Sequence, residues 1–126
     1  MEGCKPCRTP LPSTMKLTGI GGASFADPRL YHSVVGSLQY ITITRPELAY
    51  NVSKVSQYMQ NLLKVHWLVV KRILRYLAGT LTSGLLLDKD PSLEIFAYCD
   101  LDWGGDLDDR KSQGGYFIFL GKNLVS

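Results

Sequence analysis

The sequence predicts an α+β chain in which a helical part comes first and an incomplete antiparallel sheet follows. Across residues 31–80 apolar side chains recur at three- and four-residue steps, the spacing of amphipathic helices. After Gly84 the period drops to two, the spacing of a strand. Charge changes with the period: residues 1–87 hold ten Lys/Arg against three Asp/Glu, and residues 88–126 hold four against eight. A basic helical part suits a polyanionic partner, and an acidic end suits divalent cations, although solvated surface explains the same charges. The chain is 126 residues long with net charge +3, and it has no apolar run of membrane-spanning length. A soluble globular protein with no membrane partner is therefore expected.

Residues 1–26 contain Pro6, Pro10, Pro12, Gly21 and Gly22 among Ser, Thr and Lys, and read as an extended linker with little apolar area. The helical segment, residues 27–83, opens at Asp27-Pro28, an N-cap followed by proline at the first helical position. Leu30, Val34, Leu38 and Ile41 form its expected stripe, and Gly36 within it suggests close approach of a neighbouring helix. Thr44-Arg45-Pro46-Glu47 has capping-box spacing and predicts a second helix, with Leu48, Val52, Val55, Met59 and Leu62 turned inward. Asn61 is the expected break before a third helix. There Trp67, Val70, Ile73, Leu74 and Leu77 face the core and Lys64, Lys71 and Arg75 face away, with Gly79 as a left-handed C-terminal stop.

In residues 84–126, Asp88-Lys89-Asp90-Pro91 reads as a turn. Leu93, Ile95, Ala97, Cys99 and Leu101 then alternate with polar and aromatic residues as a strand. Alternation puts Asp100 and Asp102 on one face, roughly 7 Å apart. Residues 104–115 read as a glycine-rich connection, Tyr116 to Leu120 as a second strand, and Leu124-Val125-Ser126 as a third strand cut off at its start. The three helices have enough apolar surface for a core of their own, whereas the hairpin lacks elements to cover it.

Three cysteines and no signal-like start suit a reducing, intracellular setting, cytoplasmic or nuclear. Cys4-Lys5-Pro6-Cys7 has no second pair, and neither His32 nor His66 stands at metal spacing to it, so zinc is not expected. Cys99 reads as a small core side chain.

Several ordered blocks point to a family. They include Tyr31-His32-Ser33-Val34-Val35-Gly36-Ser37-Leu38-Gln39-Tyr40, then Thr44-Arg45-Pro46-Glu47-Leu48-Ala49-Tyr50, then His66-Trp67 with Lys71-Arg72-Ile73-Leu74-Arg75-Tyr76-Leu77-Ala78-Gly79-Thr80. Further on stand Ala97-Tyr98-Cys99-Asp100-Leu101-Asp102-Trp103-Gly104-Gly105-Asp106, Asp108-Asp109-Arg110-Lys111-Ser112, and Gly115-Tyr116 with Phe119-Leu120-Gly121. Upstream, Cys4-Lys5-Pro6 and Thr9-Pro10-Leu11 fit the same frame. In this order the chain resembles the pol polyprotein of copia-type long-terminal-repeat retrotransposons. No single block is specific; the ordered series is.

The resemblance implies that residues 27–83 are a thumb or connection-like segment of a reverse transcriptase, and that residues 84–126 open a ribonuclease H-like domain. Asp100 then matches the first metal-binding carboxylate of ribonuclease H, with Asp102 a weaker candidate, and Mg²⁺ is the cofactor of the intact parent. Such chemistry makes sense on a rigid strand, because two Mg²⁺ ions need converging oxygen ligands to activate water and steady the leaving oxygen. Lys64, Lys71, Arg72 and Arg75 become candidate phosphate contacts for an RNA–DNA hybrid. Taken singly, each is equally an ordinary charged helix residue. Trp67 and Tyr76 are expected to pack and not to stack on bases.

The departures limit what is expected. The polymerase's Tyr-x-Asp-Asp is absent: Tyr98-Cys99-Asp100-Leu101 shares its first three positions only, and Asp108-Asp109 lacks the tyrosine. Ribonuclease H needs a glutamate and two further aspartates from segments that would follow Ser126, so the chain alone is not expected to be catalytic. Leu62-Leu63 replaces a proline-containing turn, and Gln113-Gly114 replaces small hydroxyl residues. The first reading is thus a reverse transcriptase/ribonuclease H polyprotein fragment, whose other partner in the parent is the rest of that polyprotein. The rivals are a non-catalytic helical module that binds nucleic acid or protein, and a translated relic without function.

Overall fold

The computed structural model describes residues 5–12, 15–102 and 112–126. The chain divides into two compact units, Met1–Ser83 and Gly84–Ser126. The first holds three α-helices and the second a three-stranded antiparallel sheet, which makes the chain α+β. No helix among the described residues is long and apolar enough to cross a membrane.

Helix α1 spans Pro28–Ile41, with the Asp27 carboxylate accepting the Leu30 N–H at 3.0 Å and Pro28 in the first turn. Its inward face is turned from the expected stripe: Tyr31, Val35 and Leu38 are buried, whereas Leu30 is 44% exposed. Tyr31 wins the core position because its ring brings more apolar area than leucine and its hydroxyl finds the Val55 carbonyl at 2.8 Å. Gly36 has nothing within 4 Å of where a Cβ would stand, so the expected close helix approach is absent there. Ser37 sits in the helix by donating back to the Ser33 carbonyl at 3.0 Å.

The capping box expected at Thr44 does not form. Thr44 Oγ1 donates to the Ile41 carbonyl at 3.2 Å, and Glu47 pairs with Arg45 Nε at 2.6 Å. A 3-10 turn over Pro46–Leu48 comes first, and α2 follows over Ala49–Ser56. Leu48, Val52, Val55 and Leu62 are buried as the spacing predicts. The helix ends at Ser56, before the break expected at Asn61, and the chain tightens through i→i−3 bonds, Tyr58 to Val55 and Asn61 to Tyr58, so Met59 and Leu62 lie beyond the helix and not on it. Helix α3 then runs over Lys64–Gly79 and packs Val69, Val70 and Ile73 into the core, each fully buried aliphatic contributing about 1.5–3 kcal/mol. Trp67 is half-buried and stacks on Phe25, with ring centroids 4.9 Å apart, so it packs as expected. Gly79 is the last residue of the helix, not a left-handed stop. Its lack of a side chain admits Pro6, whose Cβ would lie 2.5 Å from a Cβ added at Gly79.

The lead-in is not a free linker. Leu17 is buried, and Leu11, Met15 and Phe25 pack against the helical core. Backbone groups pin it further: Phe25 N–H donates to the Leu62 carbonyl at 2.9 Å and Lys64 N–H to the Ala23 carbonyl at 2.8 Å. Tyr58 Oη donates to the Leu17 carbonyl at 3.1 Å. Its composition hides this anchoring, because carbonyls belong to every residue type.

In the second unit β1 spans Ile95–Asp102, β2 Gln113–Leu120 and β3 Asn123–Leu124, in that order across the sheet. The register pairs Ile95 with Leu120 and Asp100 with Gly115. Gly114 and Gly115, expected in the connection, are thus strand residues, and residues 103–111 of that connection lie outside the described set. The third strand starts one residue early at Asn123, and pairing continues where Val125 N–H donates to the Ile118 carbonyl at 2.8 Å. At the β2–β3 turn Gly121 takes φ +57°, which glycine allows. Asp90 closes the turn by accepting the Ser92 and Lys122 N–H groups, each at 2.9 Å. Those bonds, Ser92's first, hold its carboxyl below the usual value. Ile95, Phe96, Tyr98 and Leu101 are all exposed, so neighbours of both parities on β1 lack cover. Cys99 is likewise exposed, contrary to its expected core position, because no element among the described residues covers its face.

Arg45 ties the helical unit together. Nη1 donates to the Thr80 carbonyl at 2.9 Å, Nη2 to Thr80 Oγ1 at 2.8 Å, and the guanidinium lies 5.7 Å from the Tyr76 ring centroid. Arg45→Ala should cost about 1–3 kcal/mol in urea unfolding followed by helical circular dichroism, because it strips charged hydrogen bonds from the half-buried Thr80 carbonyl and hydroxyl. Glu47→Gln, at a half-exposed partner, should cost under about 1 kcal/mol in the same assay.

Burial, and secondarily Tyr58, pushes the Tyr31 phenol above its ordinary value. The neutral form is thus favoured in the folded state. Its stabilisation is complete below about pH 10 and is lost as pH rises beyond that, through the folded value. Tyr31→Phe should lower stability by about 1 kcal/mol at neutral pH and flatten the alkaline decline. Hydrogen exchange should show stronger protection in α3 than in β2, whose unit buries far less apolar surface.

Candidate nucleic-acid interface

Helix α3 carries the predicted cationic residues and contains no carboxylate in its 16 residues. At 3.6 residues per turn, Lys64, Leu68, Lys71 and Arg75 fall along one line about 17 Å long, with Arg72 beside it. This line lies opposite the buried Val69 and Ile73, so core packing on one side is what presents it on the other. Lys64 and Lys71 are exposed; Arg72 and Arg75 are half-buried. None of the four forms a salt bridge among the described residues, where the recorded ion pair is Arg45 with Glu47.

The four are not equivalent. Lys64 is the first residue of α3 and its backbone N–H is already held by Ala23, which leaves its side chain as the available donor. Lys71 projects from mid-helix. Arg72 already has partners: Nε donates to the Thr9 carbonyl at 3.2 Å and Nη2 to Thr9 Oγ1 at 3.0 Å. Arg75 keeps its Nε buried with no hydrogen-bond partner among the described residues. The structure therefore leaves two free lysines and two arginines partly enclosed by neighbouring chain.

His66, which metal spacing alone did not distinguish, fixes where this face begins. Its ring is fully buried and stacks on Tyr58 with centroids 4.2 Å apart. Nδ1 accepts the Leu63 N–H at 3.2 Å, so the proton sits on Nε2, which donates to the Thr18 carbonyl at 3.0 Å. A histidine three residues into the helix thus does what a glutamate does in a capping box, reaching back to the backbone before the first turn. The signal lay in the sequence as a polar residue three after the N-cap Leu63, but with a histidine in place of the usual acid. Thr9 and Arg45 carried no periodic signal at all.

Asp100 stands exposed on β1, with Oδ1 accepting the N–H of Leu101 at 2.9 Å. Asp102 ends the same strand opposite Gln113. Among the described residues no group of three or more His, Cys, Asp or Glu could hold a metal ion. Cys7 is a free, half-buried thiol, and Cys4 lies outside the described residues.

No family model matches the chain, and no solved structure matches it. Curated relatives do. The chain is 47% identical over its whole length to the retrovirus-related Pol polyprotein from transposon RE2 of Arabidopsis thaliana, and 44% identical to that from transposon RE1 of the same plant. It spans 9% of the length of each of those polyproteins. An uncharacterized mitochondrial protein of Arabidopsis thaliana is 40% identical over the whole chain, which covers 52% of that protein. Identity sustained across both units, in one unbroken order, places them together in a single lineage: the chain belongs to the Pol polyproteins of copia-type retrotransposons.

Proposed function

We propose that the chain represents the junction between the reverse transcriptase and the ribonuclease H of such a polyprotein. In this reading Met1–Ser83 is a thumb or connection-like element and Gly84–Ser126 opens the ribonuclease H-like sheet. Its biochemical role is sequence-independent contact with the phosphate backbone of an RNA–DNA hybrid. The observation that carries this reading is the carboxylate-free line of Lys64, Lys71 and Arg75 on α3, presented by a helix whose opposite side is locked in the core. Cations that lack acidic neighbours keep their full attraction for phosphate, and contacts of this kind position a duplex without reading its bases.

Metal-dependent cleavage is not part of the proposed role of this chain by itself. Two-metal hydrolysis needs several carboxylates converging on both ions. Among the described residues Asp100 belongs to no such group. Asp100 fits a single ligand position on a strand, and Mg²⁺ chemistry in the parent would draw on further carboxylates.

Purified chain titrated onto a fluorescein-labelled RNA–DNA hybrid should bind with log K falling linearly against log salt. A slope of about −3 corresponds to three or four phosphates neutralised. Lys71→Ala/Arg75→Ala should reduce that slope by about 2. Salt-indifferent binding would favour a protein partner, and no binding at low salt would remove the proposal and leave the relic reading. Cleavage in Mg²⁺ that disappears in Asp100→Asn would overturn the non-catalytic assignment.

A further inference from the structure

We propose that residues 5–9 form a displaceable strap that occupies the phosphate-binding edge of Arg72 and leaves when a nucleic-acid backbone takes its place, while Leu11 stays packed against the helical core. This rests on the reading of α3 as a phosphate-contacting helix and adds regulation to it.

The contact itself has the form of a phosphate clamp. Arg72 presents Nε and Nη2, one edge of the guanidinium fork, and Thr9 answers with two oxygens, its carbonyl at 3.2 Å and its hydroxyl at 3.0 Å. Two oxygens on that edge are what a phosphate supplies, with the difference that phosphate oxygens carry negative charge and add a direct Coulombic attraction that the neutral Thr9 oxygens lack. Thr9 therefore holds the edge with weaker ligands than the partner it excludes.

The strap is also built to leave. Lys5 and Arg8 make it cationic, and it lies against a helix bearing Lys71, Arg72 and Arg75, so like charges oppose its docking until a polyanion neutralises them. At its other anchor Pro6 is exposed and reaches α3 only because Gly79 has no side chain. One turn of α3 from Arg72, Arg75 keeps an Nε without an acceptor among the described residues, a donor that a phosphate oxygen would satisfy.

Two variants displace the strap without touching a cation of α3. Gly79→Ala places a Cβ where Pro6 lies and improves helix propensity, and Thr9→Val removes the hydroxyl ligand. Freeing a binding-competent state that was a minority raises apparent affinity by up to the reciprocal of that minority fraction. Both variants should bind the labelled RNA–DNA hybrid about 3- to 10-fold more tightly than the full wild-type chain at the same salt, and Arg72→Ala should abolish the gain in the Gly79→Ala background. Alkylation of the half-buried Cys7, read by peptide mass spectrometry, should quicken in Gly79→Ala and in wild type on addition of hybrid. Wild-type binding that neither variant alters, with Cys7 reactivity constant, would overturn the strap and leave the phosphate-contacting face standing. Absence of binding by wild type and variants alike would bring down both.

Discussion

Helix α3 can hold its place only because both of its ends are satisfied by other parts of the chain. At the start, His66 accepts the backbone N–H of Leu63 and donates to the carbonyl of Thr18, so one buried ring joins the helix to the lead-in. At the finish, Arg45 donates to the carbonyl and hydroxyl of Thr80, which in turn donates to the Tyr76 carbonyl at 2.9 Å. Helix termini leave backbone groups unpaired, and in a buried setting each must find a partner. Here the partners come from the lead-in and from the α1–α2 connection. The ends of α3 therefore hold the helical unit together as much as its apolar face does.

That arrangement decides the electrostatics. With Val69, Val70 and Ile73 locked inward, the rotation of α3 about its axis is set, and Lys64 and Lys71 must face solvent. The same docking draws the lead-in along the helix and brings Thr9 to Arg72. A single packing event thus presents a cationic line and covers part of it. The charge that a chain carries and the charge it offers to a partner are separate quantities, and here they differ by Arg72, whose guanidinium edge Thr9 holds.

The sheet unit follows another logic. Its strands are paired by backbone bonds over eight residues of register, and its turn is secured by Asp90 and the left-handed Gly121. Yet among the described residues its apolar side chains alternate without a core: Ile95, Tyr98 and Tyr116 are 71%, 61% and 61% exposed. Hydrogen bonding can define a hairpin's register, but burial supplies most of its stability. Asp100 is placed by that register on an exposed strand, which orders its backbone and leaves its carboxylate in water.

The two kinds of periodicity, the existence of a break before α3 and the hairpin from β1 to β2 were legible in the sequence, because they depend on which residues are near neighbours along the chain; the end of α2 at Ser56 was not. The cationic residues of α3 were legible for the same reason. Contacts between distant residues were not. Tyr31 displaced Leu30 from the core because its hydroxyl met a carbonyl 24 residues away, and Glu47 left the expected capping box to pair with Arg45, which reaches Thr80, 35 residues on. Gly79 serves Pro6 and not the helix end, and Thr9 meets Arg72 across 63 residues. Sequence by itself determined the elements, their order and the sign of each face, since local spacing and composition suffice for these. Tertiary structure alone decided which polar groups were paired and which cations were free, since hydrogen-bond partners are chosen by proximity in space.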